Sequence, residues 1–195
     1  MPLWILMSLS CVILSGISEA ADLDSKGAQM KEQTVMGWIE RAVLIPWGVE
    51  VKVKLDSGAK TSSLHAESIE RFEKEGKAWV RFIIPIEEEE GEKVKQIPVE
   101  RPLIRNVKIK RHHGNSQRRP VVSLKFCLNG KIHETQFSLV DRSQLNYPVL
   151  LGRRFLKNVA IIDPSKTFLA KEGRDACLKY APDGTSDKRS QRLQD

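Results

Sequence analysis

The chain has 195 residues, a formal net charge of +7, 41% hydrophobic residues and 29% charged residues. This length fits one domain with extra segments at its ends, and the hydrophobic fraction is enough for a core, which excludes a wholly disordered chain. Three cysteines exclude a disulfide-dense small scaffold, and no apolar run is long enough for several membrane spans. Aromatic residues make up 6%, which argues against a protein built around stacking on nucleic-acid bases.

The N-terminus has the pattern of a secretory signal peptide. Residues 3–17 are almost wholly apolar, and Ser18-Glu19-Ala20 then forms a small-x-small cleavage site. The apolar stretch is shorter than the ~20 residues that a membrane-spanning helix needs. We therefore expect residues 1–20 to be cleaved after Ala20 and the protein to be periplasmic or secreted. Because this segment has no Lys or Arg, an uncleaved N-terminal membrane anchor is the alternative.

The ends of the chain differ in composition from its middle. Residues 21–35 are polar without a clear period and predict a linker, whereas residues 171–195 are charged and poor in apolar residues and predict a disordered tail. The folded domain is expected over residues 36–170. Cys127 and Cys177 remain after signal cleavage and can pair in an oxidising compartment. Because Cys177 falls in the predicted tail, two unpaired thiols are favoured.

Alternating apolar and polar residues predict a mainly β domain. Residues 49–55 place four apolar side chains in one phase and charged side chains in the other, which is typical of a half-buried strand. A strand at 38–45 and a break at 46–48 precede it. The later elements, in chain order, are expected to be a strand at 78–84, a short apolar run at 147–151, a short helix over 152–159 and a hairpin-like element over 161–170 around residues 163–166.

The clearest local element is a hairpin over residues 121–140. Asn129-Gly130 suits a two-residue turn, because such a turn needs positive φ at both positions. Pairing about this turn predicts the register Leu128 with Lys131, Phe126 with His133, Leu124 with Thr135 and Val122 with Phe137, and it sets Cys127 across from Ile132 on the opposite face.

Two charge runs interrupt the strand pattern. Four successive glutamates at 87–90 and a fifth at 92 form an acidic run, and six Lys or Arg with two His fall within 105–119. Such runs are usually solvated loops or hairpin tips. The basic run over 105–119 could also attract an anionic polymer of the cell envelope, whereas a secreted location disfavours a nucleic-acid partner.

Two short motifs carry the chemistry. Asp56-Ser57-Gly58-Ala59 follows directly from the alternating strand, and Tyr147-Pro148-Val149-Leu150-Leu151-Gly152-Arg153 comes later. Each motif alone is common, but together on a mainly β chain they resemble the two signatures of retropepsin-like aspartic peptidases. Residues 36–41 (MGWIER), 55–64 (LDSGAKTSSL) and 151–154 (LGRR) are similar to a bacterial branch often labelled "ATP-dependent zinc protease".

This resemblance implies a fold and a mechanism. The fold is a closed retropepsin-like β-barrel with one short C-terminal helix, over residues 36–170. The activity is that of an aspartic endopeptidase, in which two carboxylates share a proton around one water and no cofactor is needed. Because the chain offers one Asp-Ser-Gly, the resemblance implies a homodimer with Asp56 of each subunit on the two-fold axis. The supporting residues would be Ser57, Gly58 and Ala59 in the catalytic turn, and Leu150, Leu151, Gly152 and Arg153 packed behind it.

The chain departs from the retropepsin pattern at Lys60. Retropepsins usually carry an Asp at this position, which pairs with the Arg that follows the second Gly. Lys60 and Arg153 cannot pair with each other, so each is expected to need an acidic partner elsewhere. The separation of Gly58 from Gly152 is also long for this fold, and we expect the extra residues within 87–119, where a flap would lie. A non-catalytic binding or adaptor module of the envelope on the same fold is therefore the alternative function.

No metal and no nucleotide is expected, and the expected partner is a peptide or protein substrate. The motif His-Glu-x-x-His is absent, and His112 and His113 are adjacent, so they would point to opposite sides of a strand. His65, Cys127 and His133 have no recognisable zinc-ligand spacing. A phosphate loop, G-x-x-x-x-G-K-[ST], is also missing. A zinc metallopeptidase is the third and weakest interpretation.

Overall fold

The computed structural model describes residues 33–87, 94–109 and 116–180. The predicted signal peptide at 1–20 lies outside these ranges, so its cleavage stays a prediction. Among the described residues, no helix has the length and apolar character needed to cross a membrane. The elements, in chain order, are β1 (Thr34–Ile45), β2 (Val49–Asp56), β3 (Ser62–His65), β4 (Glu67–Lys74), β5 (Lys77–Glu87), β6 (Val94–Pro102), β7 (Arg105–Ile109), β8 (Gln117–Leu128), β9 (Lys131–Val140), β10 (Val149–Gly152), α1 (Arg153–Leu156), β11 (Ala160–Thr167) and α2 (Lys171–Leu178).

Strands β1, β2, β10, β3, β9 and β8 pair in this order, and β8 pairs back to β1, which closes a barrel. Strand β11 is added beside β1 and strand β7 beside β8. The barrel interior is filled by the apolar phase of each strand, including Val53, Leu55, Phe126, Phe137 and Leu151, all nearly inaccessible to solvent. The predicted mainly β, retropepsin-like barrel is therefore confirmed.

The predicted hairpin is also confirmed in its register. Strands β8 and β9 pair Leu128 with Lys131 and Val122 with Phe137, as the turn and the alternation predict. Asn129 and Gly130 have φ values of 50° and 72°. Cys127 lies across from Ile132 on the other face. Local periodicity and turn chemistry were sufficient here, because both strands and the turn that joins them are contiguous in sequence.

The structure contains a second sheet, whose buried side chains belong to the same hydrophobic core as those of the barrel. Strands β4, β5 and β6 make a separate three-stranded antiparallel sheet over residues 67–102. The expectation that the extra residues lie within 87–119 stays a prediction. Within that range β7 and β8 form an antiparallel hairpin. Residues 88–93, which carry most of the acidic run, and residues 110–115, which carry part of the basic run, lie outside the described residues.

Strand β11 replaces the hairpin-like element predicted over 161–170. It runs parallel to β1, pairing Thr34 with Ala160, and the register shifts so that Ile39 then pairs with Thr167. The Asp163 Oδ1 atom accepts hydrogen bonds from the Ser165 amide and hydroxyl, so the turn-forming residues make an irregularity inside one strand rather than a reversal. The helix predicted within 152–159 is present as α1. One short helix was expected, and the structure has a second, α2, after β11.

The prediction of disorder from residue 171 is wrong for residues 171–180. Helix α2 packs against β1, β8 and β9. Cys177 is 1% exposed and forms a disulfide with the fully buried Cys127, so the favoured prediction of two unpaired thiols is also wrong. Gly173 lies so close to the hairpin turn that an added Cβ would sit 2.3 Å from the Asn129 carbonyl carbon. Helix α2 is polar and Cys177 is its buried contact with the barrel. Its apolar pattern is therefore too weak for the helix to be predicted from composition.

Candidate active site

Asp56 ends strand β2 at the start of a tight turn that holds its carboxylate. The Oδ1 atom accepts hydrogen bonds from the Gly58 amide at 2.9 Å and the Ala59 amide at 3.2 Å. The Oδ2 atom makes a salt bridge with the Lys54 ammonium at 3.3 Å. An added Cβ on Gly58 would approach Oδ1 to 3.1 Å, so the turn is fitted to this carboxylate. The side chain of Asp56 is 22% exposed and therefore remains accessible to a substrate or a second protein.

The surroundings of Asp56 favour its ionised form. Burial by itself raises the pKa of Asp56, but the hydrogen bond from Gly58, the contact with Lys54 and the hydrogen bond from Ala59 together hold the pKa below its ordinary value. A carboxyl group in this state carries a negative charge at neutral pH and has no proton to offer. In a single copy of the chain, Asp56 can act as a base or a hydrogen-bond acceptor but not as an acid.

The second motif lies directly beside the turn. Strand β10 runs parallel to β2 and sets Gly152 next to Asp56. An added Cβ on Gly152 would fall 2.6 to 2.8 Å from backbone atoms of Thr61, so only glycine allows this approach. The Gly152 amide donates to the Ser62 hydroxyl at 3.1 Å, and Leu151 is fully buried behind the turn. The structure thus brings together the two motifs that the sequence analysis singled out.

Arg153 supports the turn through its backbone carbonyls. Its Nη1 atom donates to the carbonyl oxygens of Ser57 and Gly58, each at 2.8 Å, and its own amide donates to the Ala59 carbonyl at 2.9 Å. The expectation that Arg153 needs an acidic partner is therefore wrong, because two carbonyl dipoles satisfy its guanidinium. Lys60 and Ser57 are both exposed. The role of Ser57 across a dimer axis stays a prediction.

A polar cluster beside the turn was not anticipated from the sequence. The Arg142 guanidinium donates to the Ser63 hydroxyl at 3.0 Å and to the Tyr147 carbonyl at 3.0 Å, and the Arg142 amide donates to Nδ1 of the buried His65 at 2.9 Å. Burial and repulsion from Arg119 lower the pKa of Arg142, while attraction from Asp56 opposes that shift. Arg142 is thus within electrostatic range of the carboxylate. The signal available in the sequence was the polar run in β3, a strand that is buried throughout.

The MGWIER segment has a structural role. Glu40 is 1% exposed, and its Oε1 atom accepts hydrogen bonds from the amides of Gly37 at 2.7 Å and Leu169 at 2.9 Å, while Oε2 accepts from Ala170 at 3.2 Å. An added Cβ on Gly37 would lie 2.6 Å from the Lys166 carbonyl oxygen. These contacts fasten the segment after β11 to strand β1.

Within residues 33–87, 94–109 and 116–180, no group of three or more His, Cys, Asp or Glu is placed to hold a metal ion. His112 and His113 lie outside these ranges. Cys127 is bonded to Cys177, which removes it from the earlier set of possible ligands.

A closed barrel in which an Asp-Ser-Gly turn meets a parallel strand ending in Leu-Leu-Gly is the fold of retropepsin-like aspartic peptidases. Residues 35–173 match the RimB-like family, described as "Retropepsin-like aspartic endopeptidase RimB". The chain belongs to this family, which confirms the resemblance drawn from the two motifs.

The chain is also similar to individual proteins, both curated relatives and a solved structure. The chain is 35% identical over 126 residues to a probable alpha-L-glutamate ligase of Shewanella pealeana, covering 64% of this chain and 27% of that protein. It is 36% identical over 116 residues to one of Desulfotalea psychrophila, covering 59% and 24%. The chain spans about a quarter of the length of these curated relatives. A solved structure of a Legionella pneumophila protein of unknown function is also similar, with 34% identity and a TM-score of 0.60, covering 71% of this chain and 99% of that one.

Proposed function

We propose that this protein is an aspartic endopeptidase whose active site forms when two copies of the chain bring their Asp56 carboxylates together. The observation that carries this proposal is the turn at Asp56. Two backbone amides fix one carboxylate oxygen and the Lys54 ammonium contacts the other, while the side chain stays partly exposed, so a second carboxylate could approach it. The hydrogen bonds and ion pair of Asp56 involve Gly58, Ala59 and Lys54 and supply no second carboxylate, so the dyad requires a homodimer.

The chemistry follows from bringing like charges together. Two adjacent carboxylates cannot both ionise, so one keeps a proton that the pair then shares. The ionised Asp56 takes a proton from a water molecule, whose oxygen attacks the scissile carbonyl carbon, while the protonated Asp56 donates a hydrogen bond to the carbonyl oxygen. The tetrahedral intermediate collapses when the C–N bond breaks, and the Asp56 that took the proton from the water gives it to the leaving nitrogen. No cofactor takes part in these steps.

The substrate we propose is a peptide rich in glutamate. Curated relatives carry this domain's sequence within proteins named as probable alpha-L-glutamate ligases, which would produce such chains. The site itself is cationic, because the Lys54 ammonium and the guanidinium groups of Arg142 and Arg153 surround the Asp56 turn. Opposite charge on the substrate would favour binding at such a site. We do not extend ligase activity to this chain, which corresponds to only about a quarter of those proteins.

The proposed location is the periplasm or the exterior, with cleavage after Ala20. The disulfide between Cys127 and Cys177 supports this proposal, because such bonds persist mainly in oxidising compartments. An anionic envelope polymer remains a proposed second partner for the basic run at 105–119, of which β7 and the start of β8 carry four cationic residues.

The test compares purified wild-type protein with its Asp56→Asn variant. Asparagine keeps an oxygen that can accept from the amides of Gly58 and Ala59, so the variant should fold. Both proteins are incubated with glutamate-rich and mixed peptides across pH 4–8, with and without chelator, and products are identified by mass spectrometry. Cleavage by wild type alone, unaffected by chelator, is expected. Cleavage that needs metal and survives in Asp56→Asn would refute the aspartic mechanism.

The alternative is a non-catalytic adaptor of the envelope. The salt bridge between Lys54 and Asp56 favours the adaptor, because a carboxylate paired with an ammonium resists the protonation that a catalytic dyad requires. Sedimentation velocity distinguishes the two functions. A strict monomer at all concentrations, together with no cleavage by either protein, would favour the adaptor.

A further inference from the structure

Lys54 occupies the position on strand β2 from which it can reach both Asp56 and a bound substrate. Strand β2 alternates, with Val53 and Leu55 in the core and Lys54 and Asp56 on the opposite face. The Lys54 side chain is 37% exposed, so the ammonium stands at the edge of the site rather than inside the protein. Its partner in the structure is the Oδ2 atom of Asp56, at 3.3 Å.

Lys54 also shares a face with the Arg142 cluster. Lys54 lies beside Leu150 on β10, and Leu150 lies beside Ser63 on β3, the residue whose hydroxyl accepts from Arg142. Three adjacent strands span about 10 Å at the ordinary strand spacing. Leu150 is thus flanked by an ammonium on one side and a guanidinium cluster on the other. This row places one apolar side chain, Leu150, between two positive charges.

The two cations differ in how firmly they are held. Arg142 is fixed by the Ser63 hydroxyl, the Tyr147 carbonyl and partial burial. Lys54 is on a flexible four-carbon stem at the rim, and a single ion pair sets its position. A carboxylate brought in by a substrate could therefore exchange with Asp56 for Lys54, whereas Arg142 would stay in place.

This exchange matters because Lys54 contacts the Asp56 carboxylate. The dyad must hold one proton between the carboxylates of the two subunits. The Lys54 ammonium contacts Oδ2 while two amides donate to Oδ1, and a cation this close opposes protonation of the Asp56 carboxyl group. Moving Lys54 from Oδ2 to a substrate carboxylate would free the dyad to hold its proton.

We propose that Lys54 is a specificity-determining residue that binds an acidic substrate side chain next to the scissile bond, and that this carboxylate draws Lys54 away from Asp56. The inference rests on the proposed function and adds the residue that selects the substrate. A glutamine side chain has the same shape as glutamate but no charge, so it cannot make this exchange.

The first experiment measures kcat/KM of wild type, Lys54→Met and Lys52→Met on paired peptides with Glu or Gln beside the scissile bond. Lys52 is the matched control, because it lies two residues earlier on the same face of β2 and is exposed. We expect wild type and Lys52→Met to prefer Glu by at least tenfold and Lys54→Met to lose at least tenfold of that preference. An unchanged preference in Lys54→Met would overturn the inference while leaving the peptidase function intact.

The pH profile tests the ion pair between Lys54 and Asp56, which the proposed exchange requires. Among the described residues, the charged groups near the Asp56 turn include Lys54 from β2, Arg142 from the segment after β9, with Arg119 of β8 behind it, and Arg153 from α1; Lys60, close to the turn in sequence, is exposed. Of these described groups, Lys54 is in direct ion-pair contact with the carboxylate. Its removal should therefore shift the acidic limb of the kcat/KM profile to higher pH, whereas Lys52→Met should leave it in place. An unshifted limb would count against the inference.

A binding experiment tests the same residue without catalysis. Asp56→Asn frees Lys54 from its ion pair, so a Glu peptide should bind this variant at least tenfold more tightly than it binds Asp56→Asn with Lys54→Met. The matched Gln peptide should bind both equally. Equal affinities for the Glu peptide would refute the role of Lys54. Discrimination by Lys54 with no cleavage by wild type would instead refute the peptidase function and keep the binding role.

Discussion

Replacing Arg153 by methionine should loosen the catalytic turn and leave the barrel folded. The Arg153 Nη1 atom donates to two carbonyl oxygens of that turn, at Ser57 and Gly58. Methionine has a similar apolar stem but no donor, so both hydrogen bonds are lost. The backbone hydrogen bond from residue 153 to Ala59 does not depend on the side chain and should persist.

The expected size of the effect follows from these two contacts. Hydrogen bonds that involve a charged group contribute about 1.5 to 3 kcal/mol in buried settings, and exposure reduces this contribution. Arg153 is exposed, so we take about 1 kcal/mol for each bond, or about 2 kcal/mol in all. That free energy corresponds to ~30-fold more frequent opening of the turn and, where catalysis requires the closed turn, to ~30-fold lower kcat/KM.

The matched control is Arg154→Met. Arg154 is the next residue in α1, is also exposed and carries the same charge. The hydrogen bond that joins it to the Lys60 carbonyl comes from its backbone amide and not from its side chain. Amide hydrogen exchange at Gly58 and Ala59 measures turn opening without relying on activity, and kcat/KM measures its consequence. Equal exchange rates in the Arg153→Met and Arg154→Met variants would refute the support that we assign to the Arg153 side chain.

Three further predictions concern the stability of the site and its surroundings. Gly152→Ala would place a Cβ within 2.6 Å of the Thr61 backbone and should lower the free energy of unfolding by about 1 to 3 kcal/mol; an unchanged Tm would contradict the close approach. Cys177→Ser opens a disulfide whose cysteines are 50 residues apart and should lower the free energy of unfolding by about 4 kcal/mol in denaturant titrations, with reductant then having no further effect on the variant. The pKa of Asp56 in the folded protein is below its ordinary value of 3.8. Ionised Asp56 therefore stabilises the fold above pH 3.8, and this stabilisation is lost as the pH falls through the folded-state pKa. Asp56→Asn should abolish this part of the acid dependence of the free energy of unfolding.

The parts of the fold that sequence reasoning predicted are those determined by neighbouring residues. The alternation of β2 and the Asn129-Gly130 turn are local signals, and both gave the correct faces and register. The pairing of Asp56 with Gly152 across β2 and β10 joins residues that are far apart in sequence. The next residues along each strand, Ser57 and Arg153, are 96 positions apart and are joined by a hydrogen bond. No local pattern specifies such a contact, and the resemblance to a known family supplied it.

The parts that could not be predicted depend on side chains meeting across distant segments. The disulfide requires helix α2 to dock on the barrel, although its sequence is polar and its packing residues are few. Likewise, Arg142 reaches Ser63 from the segment after β9, which is 79 residues away in sequence. From composition alone, Cys177 and Arg142 would both be expected in solvent, yet each is held by a residue far away in sequence.

The departure at Lys60 loses its force as an argument against catalysis once the contacts of Arg153 are considered. The acidic residue that retropepsins usually carry at this position would fix the arginine after the second glycine, and here the carbonyls of Ser57 and Gly58 fix it instead. The turn therefore keeps its arginine support without a carboxylate at position 60. On the proposed function, the residue that decides between a peptidase and a silent adaptor is Lys54, because its ammonium contacts the Asp56 carboxylate and opposes the protonation that a dyad needs. A lysine that an acidic substrate can draw away is compatible with catalysis, whereas a lysine that stays on Asp56 in the presence of substrate is not.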